Sequence, residues 1–147
     1  MNGSAPALKY IAPLVQVQID YIPAVYFGQD TGKPSEEIIR NIPREDPVAA
    51  VELVDFQEGQ VVSRSLVQTK SVSVTVFAFD HGEGLSPHTT PGEALVLVLD
   101  GAAEITVGET TTTVSAGEVK LLPANIQHAV HAPTRMKMLL TLVKGEK

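Results

Sequence analysis

The 147-residue chain contains no cysteine and no tryptophan, and aromatic residues make up only 5% of it. Without cysteine the chain has no disulfide and no thiolate ligand or nucleophile, which fits a cytosolic protein. The chain has 11 basic and 17 acidic residues, and the basic residues form no continuous run, so the charge pattern of a nucleic-acid-binding protein is missing. No apolar run is long enough for a membrane span, and the first residues lack the pattern of a signal peptide. We therefore expect a soluble, cytoplasmic protein without nucleic-acid or membrane partners.

From residue 50 onward, short apolar segments alternate with turn residues such as glycine, proline, asparagine and aspartate. Many short strands without intervening helices indicate a sandwich, jelly roll or barrel. The Gly108-Glu109 pair, with glycine first, is typical of a type II′ hairpin turn. The predicted strands are Val51–Phe56, Val61–Gln68, Val72–Phe79, Ala94–Leu99, Ala103–Val107, Thr111–Ser115, Glu118–Leu122, Ala129–Ala132 and Met136–Val143.

Upstream of these strands, apolar and polar residues alternate strictly from residue 15 to residue 21 (Val15, Val17, Ile19 and Tyr21, with Gln16, Gln18 and Asp20 between them). This period of two predicts a half-buried strand, Val15–Tyr21. A strand so far from the others needs a partner, which is either the outer edge of its own barrel or a neighbouring subunit.

A short helix is predicted at Glu36–Asn41, because Ser35 can cap it, acids occupy its first turn and Pro43 ends it. The chain is thus interpreted as an N-terminal extension, residues 1–46, followed by one barrel domain, residues 47–147. The extension holds the predicted strand and the short helix. Neither element carries an obvious chemical motif.

Two glycine-led segments carry the candidate chemistry. In the first, Gly82 is followed by five residues, then by His88, one residue, Thr90 and, further on, Gly101. An alternating backbone places His88 and Thr90 on the same face of an extended segment. We expect the residues before His88 to form an irregular loop.

In the second segment, Gly117 is followed by five residues, Pro123, one residue, Asn125, two residues and His128. The two segments resemble, in spacing and in order, the two conserved motifs of the cupin superfamily. The resemblance covers about Val51–Val143. Asn125 stands where these proteins usually have glycine, an exchange that is tolerated because asparagine also adopts left-handed backbone angles.

The resemblance implies a cupin barrel, a double-stranded β-helix or jelly roll, that assembles as a homodimer and holds one divalent transition metal (Fe, Zn, Ni, Mn or Cu). Of the usual ligands, His88 and His128 are present. Thr90 occupies the position of a further histidine, Ala94 occupies that of the carboxylate, and Glu93 lies one residue early. We predict His88, His128 and Glu93 as metal ligands, with the Pro91-Gly92 turn directing Glu93 inward.

The predicted pocket comprises these three residues together with Thr90, Phe79 and Met138. By alternation, Phe77, Phe79, Leu97 and Leu99 are expected in the core or cavity wall.

Three functions are consistent with this pattern. The leading one is a small-molecule-binding cupin with a degenerate metal site. The first alternative is a metal-dependent dioxygenase or isomerase in which Glu93 or His131 supplies a missing ligand. The second is a metal-free ligand sensor or structural barrel. No catalytic residue is assigned, and the motifs of other common enzyme classes, such as a phosphate-binding loop or a nucleophile elbow, do not occur.

Overall fold

The structure of the protein is a computed structural model that describes residues 37–145. Within this range a short 3-10 helix, Ala50–Leu53, precedes nine strands. The strands are β1 (Val61–Gln68), β2 (Val72–Phe79), β3 (Gly84–His88), β4 (Glu93–Asp100), β5 (Ala102–Val107), β6 (Thr110–Ser115), β7 (Val119–Leu122), β8 (His128–His131) and β9 (Met136–Val143). No helix in this part of the chain is long and apolar enough to cross a membrane.

The strands form two antiparallel sheets that face each other. The first sheet has the order β1-β2-β9-β4-β7, and the second has the order β3-β8-β5-β6. Because strands that follow one another in sequence often belong to different sheets, the chain crosses repeatedly between the layers, as in a jelly roll. The predicted all-β barrel is confirmed. The turn between β5 and β6 is also confirmed, with Val107 opposite Thr110 and φ of 62° at Gly108.

The main core lies between the two sheets. Its largest fully buried side chains come from β2, β4, β5 and β9: Phe79, Ile105, Met136, Met138, Val96 and Val98. The prediction that Leu97 and Leu99 belong to this core is wrong. Ala94, Val96 and Val98 point into it, so Leu97 and Leu99 lie on the opposite face of β4, where they are half-buried.

A second apolar cluster covers the outer face of β1, β2 and β9. Residues 42–56 cross this face and place Leu53, Val54 and Phe56 against Val76 and Ala78. The predicted strand Val51–Phe56 is therefore wrong, because this stretch lies across the sheet instead of within it. Its carbonyl groups are bound by side chains of the sheet, and the Lys137 ammonium donates to the Val51 oxygen at 2.6 Å.

The predicted helix Glu36–Asn41 is also wrong over its described part, since residues 37–41 form no helical turn. Asn41 has a φ of 63°, outside the helical range, and the Arg40 amide donates to the Leu66 carbonyl of β1. A segment this short cannot offset the cost of helix nucleation by its own hydrogen bonds. The predicted strand Val15–Tyr21 lies outside the described residues, and the boundary between residues 46 and 47 stays a prediction.

Candidate functional site

Strands β3 and β8 bring the two motif histidines together. His88 and His128 are direct cross-strand partners, and their ring centroids lie 4.5 Å apart with an interplanar angle of 70°. The irregular loop expected before His88 is in fact strand β3, interrupted by a shift of register between Leu85 and His88. Pro87 lies at this irregularity, and proline is tolerated there because β3 is an edge strand and needs no amide hydrogen at that position.

Each imidazole is oriented by a backbone carbonyl two residues upstream. The His88 Nδ1 lies 2.8 Å from the Ser86 oxygen, and the His128 Nδ1 lies 3.2 Å from the Ile126 oxygen. A carbonyl oxygen only accepts hydrogen bonds, so Nδ1 is the protonated nitrogen in both rings. In the neutral form of each ring, the lone pair is therefore on Nε2, the nitrogen that remains for a ligand or a metal.

His128 is held in its neutral form. His128 is only 5% exposed, and it lies on the same face of β8 as Val130 of the core. Burial lowers the pKa of His128, the positive charge that His88 can carry lowers it further, and the hydrogen bond to the Ile126 carbonyl partly opposes both effects. Near neutral pH, His128 therefore presents a lone pair at Nε2.

The loops on either side of the pair are joined by short polar contacts. The Asn125 amide donates to the Thr90 carbonyl at 2.8 Å, and Asn125 has the left-handed φ of 64° expected at a glycine position. The Thr90 hydroxyl donates to the Gly92 carbonyl at 3.1 Å. Thr90 thus closes its own turn, and its donor is used within the loop. A Cβ on Gly92 would lie 2.3 Å from the Val143 carbonyl oxygen, so this turn packs directly on the end of β9.

Glu93 does not join the two histidines in this structure. It is exposed at the start of β4 and pairs with Val143, whereas the next residue, Ala94, is only 3% exposed and belongs to the core. The one-residue offset seen in the sequence thus turns the carboxylate to the outer face. Within residues 37–145, no group of three histidine, aspartate or glutamate side chains is arranged to hold a metal ion.

The other two predicted pocket residues, Phe79 and Met138, lie in the buried core between the sheets. Phe79 and Met138 are 0% and 1% exposed, and Phe79 stacks on Phe77 with 5.8 Å between ring centroids. They belong to the same core cluster as Leu85 and Val130, the apolar neighbours of the histidines on β3 and β8.

The apolar wall near the histidines consists of residues that sequence reasoning missed. Val107 is the cross-strand partner of His128, and Leu142 is that of Ala94. Val107, Leu140 and Leu142 pack on the core while remaining half-buried, in contrast to the fully buried Met136 and Met138 on the same strand. Burial thus decreases along β9 toward the turn of Gly92 and the histidine end. The sequence signal for Leu140 and Leu142 was the alternation that begins at Met136, because it places both leucines on the same face of β9 as Met136 and Met138.

The two remaining histidines lie elsewhere. The His131 Nδ1 contacts the Glu104 carboxylate at 3.0 Å on the outer face of the second sheet, where both side chains are 44% exposed. His81 is exposed in the turn after β2. Neither is placed to complete the ligand set of His88 and His128. Replacement of His131 can therefore serve as a control in experiments that remove His88 and His128.

Comparisons with known proteins agree with this geometry. A family model described as "Cupin domain" matches residues 75–143, which contain both motifs. The chain is 36% identical to a conserved Streptococcus pyogenes protein of unknown function, with a TM-score of 0.74 over 77% of this chain and 99% of that one. It is 32% identical to a cupin superfamily protein from Desulfitobacterium hafniense, with a TM-score of 0.71 over 73% of this chain and 98% of that one.

A curated relative covers a shorter part of the sequence. An uncharacterized Streptomyces coelicolor protein is 34% identical over 65 residues, which are 44% of this chain and 62% of that protein. The chain therefore spans less than two thirds of that relative. None of these three proteins has a stated activity in its description.

Proposed function

The chain belongs to the cupin superfamily, and from this we propose that it binds a small molecule at the end of the barrel where His88 and His128 meet. The observation that carries the proposal is the arrangement of the two imidazoles. Their Nδ1 atoms donate to backbone carbonyls, which leaves both Nε2 atoms for a ligand beside a half-buried apolar wall. Ligand sites typically combine such a wall with a few oriented polar groups.

The chemistry of this site favours a ligand with an apolar body and a hydrogen-bond donor. Val107, Leu140 and Leu142 offer the apolar surface. Neutral imidazoles accept a hydrogen bond at Nε2, so a hydroxyl or protonated carboxyl group of the ligand matches them better than a second acceptor does. The lowered pKa of His128 keeps this acceptor available at neutral pH.

A divalent transition metal fits this donor set only in part. His88 and His128 supply two imidazoles, whereas protein sites for catalytic zinc usually supply three ligands. We therefore propose weak binding of a divalent ion by these two side chains, with water in the remaining positions. A ligand set of this size does not support a metal-dependent dioxygenase or isomerase, and we assign no reaction.

The metal part of the proposal is tested on untagged protein by isothermal titration with Zn²⁺ and Ni²⁺. The double variant His88→Ala/His128→Ala is compared with the wild type and with His131→Ala, which removes a surface histidine. We expect the double variant to lose at least about tenfold in affinity, because even outer-shell partners are worth that much. The His131→Ala protein should bind as the wild type does. Equal binding by the double variant would place the ions elsewhere.

The small-molecule part needs a separate measurement. A panel of small apolar alcohols, phenols and carboxylic acids is screened by thermal shift in the presence of a chelator, so that metal plays no role. Compounds that stabilise the wild type should have no effect on the double variant, because a ligand that binds only the folded state raises its stability. Hits that stabilise both proteins equally would show that the histidines are not the anchors. The homodimer and the cytoplasmic location stay predictions.

A further inference from the structure

The outer face of the first sheet is covered over only part of its width. Residues 42–56 cover β1, β2 and part of β9 and reach β4 through the 3-10 helix, but the rest of the face on β4 and β7 is an apolar surface. We call this surface the outer apolar patch, and it consists of Leu95, Leu97, Val119, Leu121 and Val143. Four of its five side chains are strongly exposed, at 47% for Leu95, 64% for Val119, 48% for Leu121 and 51% for Val143.

The patch is continuous with the part of the face that the chain already covers. Leu95 is the cross-strand partner of Leu121, and Leu97 is that of both Val119 and Leu139. Leu139 packs against the second apolar cluster, beneath residues 42–56. One apolar face thus runs across the sheet, and among residues 37–145 its part around Leu95, Val119 and Leu121 is uncovered.

The patch is small for an interface between two folded copies. Three strands spaced about 4.8 Å apart, each with a few residues rising about 3.3 Å, give a face on the order of 300 Å². A standard protein interface buries about 800 Å² on each partner. The dimensions therefore match a single chain segment better than a second sheet.

The sequence contains a segment with the complementary pattern. Val15, Val17, Ile19 and Tyr21 alternate with Gln16, Gln18 and Asp20, so that an extended backbone has one apolar and one polar side. We propose that residues 14–22 of the same chain cover the outer apolar patch, with their apolar side on the sheet and their polar side in water. In this arrangement the segment extends the layer that residues 42–56 begin.

The chain length permits this arrangement. The described chain begins beside β1, where the Arg40 amide donates to the Leu66 carbonyl. From β1 to β7 the sheet order requires four strand spacings, about 19 Å in total. Residues 23–36 connect the two regions and can span up to about 46 Å when extended.

The absence of cysteine makes a direct test possible, because one introduced cysteine is the only thiol in the 147-residue chain. Labelling of Leu121→Cys by a maleimide is compared with that of Ile126→Cys. Within residues 37–145 these positions are similarly exposed, at 48% and 41%, but Ile126 lies in the loop before β8. We expect Leu121→Cys to react at least about tenfold more slowly, since covered sites react only through local opening.

A second variant identifies what covers the patch. Adding Val17→Asp and Ile19→Asp to the Leu121→Cys chain should restore fast labelling, whereas Gln16→Asp and Gln18→Asp, on the polar side, should not. Equally fast labelling of Leu121→Cys and Ile126→Cys would overturn the proposal. Slow labelling that is unaffected by the Val17 and Ile19 changes and becomes faster on dilution would also overturn it, in favour of a second copy on this face.

A disulfide test on the full chain distinguishes a segment of the same chain from one exchanged between two copies. The double variant Val17→Cys/Leu121→Cys should form an intramolecular disulfide under mild oxidation, visible as a monomer of altered mobility without reductant. A covalent dimer would instead show that the segment covers the patch of a neighbouring copy, which contradicts the proposal as stated. Circular dichroism of each variant checks that the barrel is folded. Replacing Leu121 should disturb the fold little, because its side chain lies outside the core.

Discussion

Glu83 is a buried carboxyl group whose replacement should stabilise the protein. It precedes β3, is only 8% exposed, and its Oε1 has no hydrogen-bond partner within residues 37–145. Burial raises the pKa of Glu83, the neighbouring Asp80 carboxylate raises it further, and His81 partly opposes the shift. An uncompensated buried polar group costs about 1–3 kcal/mol, and a charge costs more.

The direction of the pH effect follows from the raised pKa. The folded state holds the proton of Glu83 more tightly than the unfolded state, whose pKa is near 4.5. The group therefore favours folding below that value, and this contribution is lost as the pH rises through the folded pKa. Glu83→Gln removes the charge but leaves an amide to bury, so we expect a gain of about 1 kcal/mol at pH 8, or roughly 3–6 °C in melting temperature.

The assay is a series of urea unfolding curves from pH 4 to pH 8 for the wild type and Glu83→Gln. The difference between the two free energies of unfolding should be small at pH 4 and grow in favour of the variant as the pH rises. Glu109→Gln, at an exposed carboxylate in the β5–β6 turn, is the control and should follow the wild type. A wild type that is more stable than Glu83→Gln at pH 8 would refute the reasoning, because it would mean that the carboxylate has a stabilising partner.

Three further predictions concern other parts of the barrel. Zn²⁺ affinity should fall with decreasing pH, and because burial lowers the pKa of His128, the part due to His128 should be lost at a lower pH than for a free imidazole; titrations of His88→Ala between pH 5 and pH 8 test this, and a loss at the pH of a free imidazole would contradict it. Met138→Ala should destabilise the fold by about 2–5 kcal/mol in urea unfolding, because Met138 is 1% exposed in the core; a loss below 1 kcal/mol would contradict that packing. The pKa of Asp80 is lowered to about 2, first by the hydrogen bond from the Gly59 amide and then by Arg135, so Asp80 should stabilise the folded state above pH 4 and lose this effect toward pH 2. Asp80→Asn should lower the melting temperature at pH 7 and make it less dependent on acid. An unchanged acid dependence would count against these contacts.

Local patterns were sufficient to predict most of the sheet. Val61–Gln68, Val72–Phe79 and Met136–Val143 were predicted with the bounds that the structure shows. These strands are rich in β-branched and aliphatic residues and end at turn residues, so their local preferences agree with their place in the fold. The residues whose structure differs from the prediction are those whose conformation depends on contacts with distant parts of the chain. Residues 51–56 have the composition of a strand, but no strand edge is available to them, and they cover the sheet face instead.

The pairing of His88 with His128 shows which features of the site could be predicted from the sequence and which could not. The motif spacings identified both residues, but their contact depends on the register of β3 against β8, 40 residues apart in the chain. The tautomers and the lowered pKa of His128 depend on that same contact and on burial. Glu93 was predicted to point inward from its chemistry and from the Pro91-Gly92 turn before it, and only the pairing of β4 with β9 shows that its side chain lies on the other face.

The sequence by itself determined the class of fold, the position of most strands and the two histidines, because turn residues, alternation and motif spacing are local properties of the chain. Only the tertiary structure decided which face of each strand is buried. In β4, with the sequence EALVLVLD, both faces are apolar, so alternation cannot distinguish them. Packing against the second sheet selects Ala94, Val96 and Val98 for the core. The same selection leaves Glu93 outside the histidine pair and Leu95 on the outer apolar patch.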